Sequence, residues 1–275
     1  MNTMHEIKPG QSIELLKELH ILTRDGKMNQ DSRRKLKQVY HLYQFIEPLL
    51  QEIRRDHGDI TLVDHGAGKS YLGFILYDLF FKPQPGGSHI YGIETREELV
   101  AHSRELAARL GFCGMSFLNL SVAESITSAK LAAKVDMVTA LHACDTATDD
   151  AIRFALEKRA QYIVLIPCCQ AEVAAVLRKN KGGELKKNVL TELWRHPIHT
   201  REFGSHVTNV LRCLQLEAHG YQVTVTELVG WEHSMKNELI IASNKNLPRQ
   251  RPAERLQEML QMLGLEEMSE RFFAG

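Results

Sequence analysis

Apolar positions change their rhythm along the chain. From Asp31 to Arg54 they recur at helical spacing: Leu36, Val39, Tyr40, Tyr43, Ile46 and Leu50 share one stripe, with Arg33, Arg34, Lys35 and Lys37 opposite. That spacing predicts a long amphipathic helix. A shorter one is expected before it, at IELLKELHIL, followed by the turn TRDGKMN. From Asp59 onward, short apolar runs alternate with helical patterns. Ile60 to Asp64, His89 to Glu94, Met115 to Leu118, Val135 to Leu141 and Tyr162 to Ile166 read as buried strands. Leu72, Ile75, Leu76, Leu79 and Phe80 mark the helix after the first strand. The helix after the second opens with Thr95-Arg-Glu-Glu98, which reads as a capping box, and closes at Gly111. A helix ending near Gly220 leads to two final strands, Tyr221 to Leu228 and Glu238 to Ser243, and a helical tail follows from Pro248.

Strands alternating with helices imply an α/β fold with a mostly parallel sheet covered on both faces. The expected organisation is a helical extension over residues 1–55, an α/β domain over 56–245 and a helical tail over 246–275. Ligands of such sheets lie beyond the carboxyl ends of the strands, where strand order reverses. The loops after each strand are therefore where chemistry is sought.

Composition narrows the class. The chain has 275 residues, 44% hydrophobic and 25% charged, which suits a soluble globular protein. No apolar run is long enough to cross a bilayer, and the start, MNTMHEIKPG, lacks an apolar signal core. A cytoplasmic location without membrane attachment is expected. Five cysteines, with Cys168 and Cys169 adjacent, point to reduced thiols rather than a disulfide framework. Net charge is zero but uneven. Arg24 to Lys37 holds six Lys/Arg against two Asp, net +4, and Arg178 to Arg201 holds seven Lys/Arg against two Glu, net +5. Two such segments are either a track for RNA phosphates or two solvated faces.

The stretch TLVDHGAGKSYLG, residues 61–73, ends its glycine turn in Gly-Lys-Ser. A triphosphate-binding loop needs glycine five positions before Gly68, where Val63 stands, and a dinucleotide fingerprint needs glycine where Tyr71 stands. What remains is Asp64-His65-Gly66-Ala67-Gly68, a strand-end carboxylate beside a turn whose backbone a ligand can approach closely. A carboxylate there repels a pyrophosphate but suits an ammonium group. Thirty residues on, Glu94 ends the second strand, placed to accept hydrogen bonds from both hydroxyls of a ribose. An amino-acid head at one turn and a ribose at the next describe S-adenosylmethionine.

VDHGAGKSYLG followed by YGIE resembles the first two motifs of class I S-adenosylmethionine-dependent methyltransferases, over roughly residues 56 to 245. ALHACDTATDDAI, IPCCQ and EHSMKNELIIAS further resemble a methyltransferase-like subgroup with a Pro-Cys-Cys motif, distantly similar to a tRNA 2′-O-methyltransferase. The resemblance implies a Rossmann-like, mostly parallel seven-stranded sheet with an antiparallel strand near one edge. It carries over Asp64, Gly66, Gly68 and Glu94 as cofactor-binding residues, Ser121 beside the adenine, and His142 beside the transferable methyl. His233, Lys236 and Asn237 match the last motif, as contacts to an acceptor phosphate or as shapers of the final turn.

Methyl transfer requires alignment of the acceptor and, for a hydroxyl, removal of its proton. The loops after strands four and five offer His142, Cys144, Asp145, Cys168, Cys169 and Gln170. Three mechanisms stay open besides simple packing of the cysteines. His142 or Asp145 serves as general base. Alternatively Cys168 or Cys169 attacks a pyrimidine ring, as in RNA cytosine-5 methyltransferases, although those carry Pro-Cys where this chain has Ala143-Cys144. The third is zinc held by cysteines and a histidine, against which stand the adjacent cysteines and the lack of a Cys-x-x-Cys pair; no metal is expected. Tyr71 and Trp231 either pack in the core or stack on a base, and His65 caps or packs.

Overall fold

Backbone N–H and C=O groups in a buried strand all need partners, and the five apolar runs find theirs in one another. The computed structural model describes residues 6–84, 86–141, 143, 145–167, 170–180, 189–228 and 238–273. In it β1 (Thr61–His65), β2 (His89–Glu94), β3 (Met115–Asn119), β4 (Met137–Leu141) and β5 (Tyr162–Ile166) run parallel. Two later strands, β6 (Tyr221–Glu227) and β7 (Glu238–Asn244), complete a seven-stranded sheet of order β3-β2-β1-β4-β5-β7-β6. β7 is antiparallel to both of its neighbours. This is the mostly parallel sheet that the alternation implied, in the Rossmann-like form, with an antiparallel strand near one edge, that the resemblance implied. Strand order reverses between β1 and β4, which opens a crevice beyond their carboxyl ends.

Neighbouring residues of each central strand feed opposite cores, which is why these strands read as continuous apolar runs. On one face Leu62, Ile90, Met137 and Val164 meet α1 (Ile13–Glu18), α2 (Gln30–His57), α3 (Tyr71–Leu76) and α4 (Glu97–Leu110) through residues such as Leu15, Ile46, Leu50 and Phe74. On the other, Val63, Val138, Ile163 and Ile240 meet α6 (Thr146–Glu157) and the end of α8 (Pro197–Ala218). The short α5 (Val122–Thr127) follows β3. A third cluster joins α7 (Glu172–Lys179), α8 and α9 (Gln250–Met262) around Trp194, Leu211 and Leu256, and α10 (Ser269–Phe273) adds Phe272.

Helix starts depend on side-chain partners more than the strands do. Asn29 caps α2, its side chain accepting the Ser32 N–H at 2.8 Å. The capping box expected at Thr95 does not form. Arg96 precedes α4 without a side-chain cap, because Glu94 takes the Arg96 N–H at 3.1 Å and the Thr95 hydroxyl at 3.4 Å. Gly111 ends α4 in the left-handed region, as expected. A capping box does form at α5, between Ser121 and Glu124.

One buried polar network fixes the loops after β4 and β5. Arg212 on α8 is fully buried, and its Nε and Nη2 donate to the two Asp149 carboxylate oxygens at 2.7 and 2.9 Å. Its Nη2 also reaches the Asp145 carbonyl at 2.8 Å, and its Nη1 the Asn209 side-chain oxygen at 3.1 Å. Gln170 donates to that same oxygen at 3.1 Å, and Asn209 donates to Glu238 at 2.6 Å. One helix thereby holds the start of α6, the loop after β5 and the start of β7. Removing one partner of a buried ion pair leaves the other charged and uncompensated. Arg212→Leu should therefore lower stability by about 3–5 kcal/mol in urea denaturation. The double variant Arg212→Leu/Asp149→Leu should lose less than Arg212→Leu alone. A larger loss in the double variant would show that packing, not charge, dominates the site.

Candidate active site

At the crevice, β1 ends in a carboxylate turned into the protein. Asp64 is 1% exposed. Its Oδ1 accepts the Thr139 hydroxyl of β4 and its Oδ2 the Ser70 hydroxyl at the start of α3, both at 2.9 Å. Burial pushes its pKa up from 3.8 to about 6, while hydrogen bonds from Ser70, Thr139 and the Gly73 N–H pull it back in part. The residue expected to face an ammonium group is thus a brace inside the turn, tying β1, β4 and α3 together. No local pattern announces its partners, since Thr139 is 75 residues away.

The turn itself needs its glycines. Gly66 and Gly68 have φ of 66° and 57°, a region that costs side-chain-bearing residues energy. A Cβ on Gly66 would stand 3.4 Å from the Ala143 Cβ, so the turn and the loop after β4 lie in contact. Gly68 faces more open space, with the Arg96 guanidinium 3.9 Å from such a Cβ. Its N–H donates to Glu94 Oε2 at 2.8 Å. The structure therefore brings Gly66, Gly68 and Glu94 together at one surface, with Asp64 buried beneath the turn.

Arg96 also belongs to that surface. Its Nε donates to Glu94 Oε1 at 3.0 Å and its Nη2 to Oε2 at 3.2 Å. Burial raises the Glu94 pKa, but the Arg96 and Gly68 hydrogen bonds and the Arg96 charge outweigh it, and the net shift is downward. The only sign of this pair in the sequence is the spacing of two residues, which reads equally well as part of a helix cap.

His65, next to Asp64, points the other way and packs on Phe154 with ring centroids 5.2 Å apart. Both ring nitrogens are buried without a partner among the described residues. Burial pushes its pKa down to about 4, against the opposing pull of Glu94, so it is neutral at physiological pH. The Ser121 hydroxyl lies after β3 and donates to Glu124 at 2.7 Å. Glu124, three residues on, completes the capping box of α5.

Asp145 sits before α6 with φ of 50°, strain of a kind that collects at functional positions. Its Oδ1 accepts the Ala171 N–H at 3.0 Å, which bridges the loops after β4 and β5. His142, Cys144, Cys168 and Cys169 lie outside the described residues, as do Trp231, His233, Lys236 and Asn237. No helix among the described residues is long and apolar enough to cross a membrane.

A family model described as a methyltransferase domain matches residues 34–176, more than half of the chain. The match runs from α2 to α7 and contains every candidate site residue from Asp64 to Cys169. The chain is also similar to a curated Mus musculus protein, the glutathione S-transferase C-terminal domain-containing protein. The two are 25% identical over 235 residues, which covers 79% of this chain and 34% of that protein. The chain thus spans about a third of that relative's length. Among solved structures it is similar to the N-terminal domain of human METTL16 in complex with SAH, 10% identical, covering 75% of this chain and 69% of that one with a TM-score of 0.45. The SAH-bound Podospora anserina methyltransferase PaMTH1 is 12% identical, with coverages of 87% and 89% and a TM-score of 0.46. The Methanococcus jannaschii fibrillarin pre-rRNA processing protein is 12% identical, with coverages of 68% and 67% and a TM-score of 0.43.

The buried Asp64 has a pH signature. Its folded pKa of about 6 lies above the ordinary 3.8, so between those values the folded state holds the extra proton and stability falls as pH rises. Asp64→Asn removes the ionisation. The stability of Asp64→Asn relative to the parent should therefore rise from pH 4 to pH 7, by roughly 2 kcal/mol. Denaturant titrations at both pH values read this directly. A difference independent of pH would mean that Asp64 is not held at a raised pKa.

Proposed function

The chain belongs to the methyltransferase-domain family, and from that membership we propose that it transfers a methyl group from S-adenosylmethionine to RNA. The observation that carries the cofactor reading is the 2.8 Å hydrogen bond from the Gly68 N–H to Glu94. It holds a ribose-accepting carboxylate against a glycine turn that a ligand can approach closely. Glu94 would hold the ribose hydroxyls in place of the largely exposed Arg96 side chain, while Gly66 and Gly68 keep the turn clear and Asp64 braces it from within. Bound S-adenosylmethionine supplies a methyl carbon on a positively charged sulfur, which keeps the electron pair of the broken bond. His142, the residue after β4, takes the acceptor's proton as the new bond to carbon forms. Asp145 already holds the Ala171 N–H and fixes that loop in place.

The RNA reading is supported by the first basic segment. Arg34 and Lys35 share the single carboxylate of Asp31, at 3.0 and 2.9 Å, while Arg24, Lys27 and Lys37 are exposed. Exposed ion pairs of this kind are weak, so phosphate oxygens can displace Asp31.

Calorimetry with S-adenosylmethionine, its demethylated product and ATP tests the cofactor. The first two should bind and ATP should not, because Val63 stands where a triphosphate loop requires glycine. Glu94→Ala should weaken binding by about 1–3 kcal/mol. Magnesium-dependent ATP binding would sink the assignment.

RNA binding should weaken steeply with salt as counterions are released. Charge reversal at Arg33, Arg34 and Lys35 should lower RNA affinity and reduce the salt slope by about 0.7 for each phosphate no longer neutralised. Cofactor affinity should not change. Salt-insensitive binding would instead point to a protein or metabolite acceptor.

A further inference from the structure

A cavity of about 410 Å³ lies between the N-terminal helices and α3, in the size range of ligand pockets. Its inner wall is Leu141, the last residue of β4, and its side is Tyr71 and Leu72, which follow the glycine turn directly. The cavity therefore opens at the carboxyl end of the sheet, beside the loops that hold the candidate base. No step of the cofactor reading uses it.

Its lining has a definite chemistry. Leu19, Ile21, Leu42, Leu72 and Ile75 are buried apolar walls. Gln38 and Lys35 add an amide and an ammonium group. Tyr71, 38% exposed, and the exposed His20 mark the mouth. No Asp or Glu lines it among the described residues. A lysine or arginine acceptor would enter such a pocket without a counter-charge, which is costly in apolar surroundings. A flat, neutral heteroaromatic ring suits it: apolar walls cover the two faces, and an amide that both donates and accepts reads the polar edge. Tyr71 at the mouth offers a ring for stacking. Lys35 joins the cavity to the basic surface of α2, where Arg34 and Lys37 stand ready for phosphates on either side of an extruded base.

We propose that this cavity is the acceptor pocket and that it takes one unpaired nucleobase of RNA. The proposal rests on the RNA reading above and adds to it where the base goes and which part of the nucleotide is buried. The N-terminal helices then form one wall of the active site, and single-stranded or extruded nucleotides are the substrates, because a base inside a duplex cannot enter.

Filling the cavity tests this in the full-length chain. Val39, part of the lining and only partly buried, is replaced by Val39→Trp. Two quantities are read: affinity for the demethylated cofactor by calorimetry, and transfer of labelled methyl from S-adenosylmethionine to total cellular RNA. Val39→Trp should keep cofactor affinity unchanged and slow transfer to RNA by on the order of 100-fold, as misplacement of an acceptor does. Should Val39→Trp lose cofactor binding, Gln38→Trp, at a half-exposed position of the same lining, takes its place with the same expectation. Equal RNA labelling by the parent and a cofactor-competent Trp variant would overturn the pocket assignment alone. Labelling of protein or metabolites but never of RNA by the parent chain would overturn the acceptor reading, and the nucleobase with it.

Discussion

The carboxylate of Asp64 has no water to turn to, and much of the active end of the sheet is arranged around that fact. A buried charge is tolerated only when hydrogen bonds surround it. Here they come from three places: Thr139 on the neighbouring strand, Ser70 at the mouth of α3, and the Gly73 N–H inside it. Satisfying one side chain thus sets the spacing of β1 and β4 at the point where strand order reverses. It also sets the entry angle of α3, because Ser70 adopts a left-handed conformation, φ 50°, to bring its hydroxyl round. The glycine turn and the wall of the neighbouring cavity both hang on that entry angle, since Gly68 precedes Ser70 and Tyr71 follows it.

A second constraint acts from the far face. The loops after β4 and β5 carry the candidate catalytic residues, and catalysis needs side chains held to fractions of an ångström. Arg212 supplies the rigidity from α8, bonding Asp149 and the Asp145 carbonyl while Asn209 and Gln170 extend the network to the next loop. The Asp145 carboxylate then closes the bridge to Ala171. Charged groups brought out of water destabilise unless every one of them is paired. Their use here, where an apolar cluster would serve stability better, marks a place where the geometry of two loops matters more than the free energy of folding.

The parts of this molecule legible in its sequence are those fixed by local periodicity. All seven strands stand where the sequence pattern placed them, with β2 and β5 matching residue for residue: a strand buried on both faces, such as β4 or β5, leaves a continuous apolar signature, and the edge strand β6 leaves an alternating one. The glycine turn and Glu94 were legible because backbone conformation and strand-end position are local properties. What escaped was anything decided by a distant partner. Arg212 reads as one more polar residue in an amphipathic helix, and only its pairing with Asp149, 63 residues away, shows why it is buried. Thr95 looks like a cap until Glu94, held at the turn by Gly68, draws in its hydroxyl and the Arg96 N–H. Ser121, expected at the adenine, was recognisable in principle as an N-cap, since Glu124 stands three positions on.

The two acids at the crevice show how surroundings divide labour between like groups. Asp64 and Glu94 stand near the ends of neighbouring parallel strands, β1 and β2, and both are less than a tenth exposed. Desolvation dominates at Asp64 and lifts its pKa to about 6. At Glu94 the same desolvation is outweighed by a guanidinium and two backbone N–H groups, which hold it ionised. Only the second arrangement suits an exchangeable ligand. The Asp64 partners are themselves buried and cannot leave without opening the sheet, whereas the Arg96 side chain is 59% exposed and can return to water at little cost. Arg96 therefore keeps the Glu94 carboxylate charged and aimed at the turn. The acid that looks inward braces the turn, and the acid paired to a solvent-facing cation is the one whose partner can exchange.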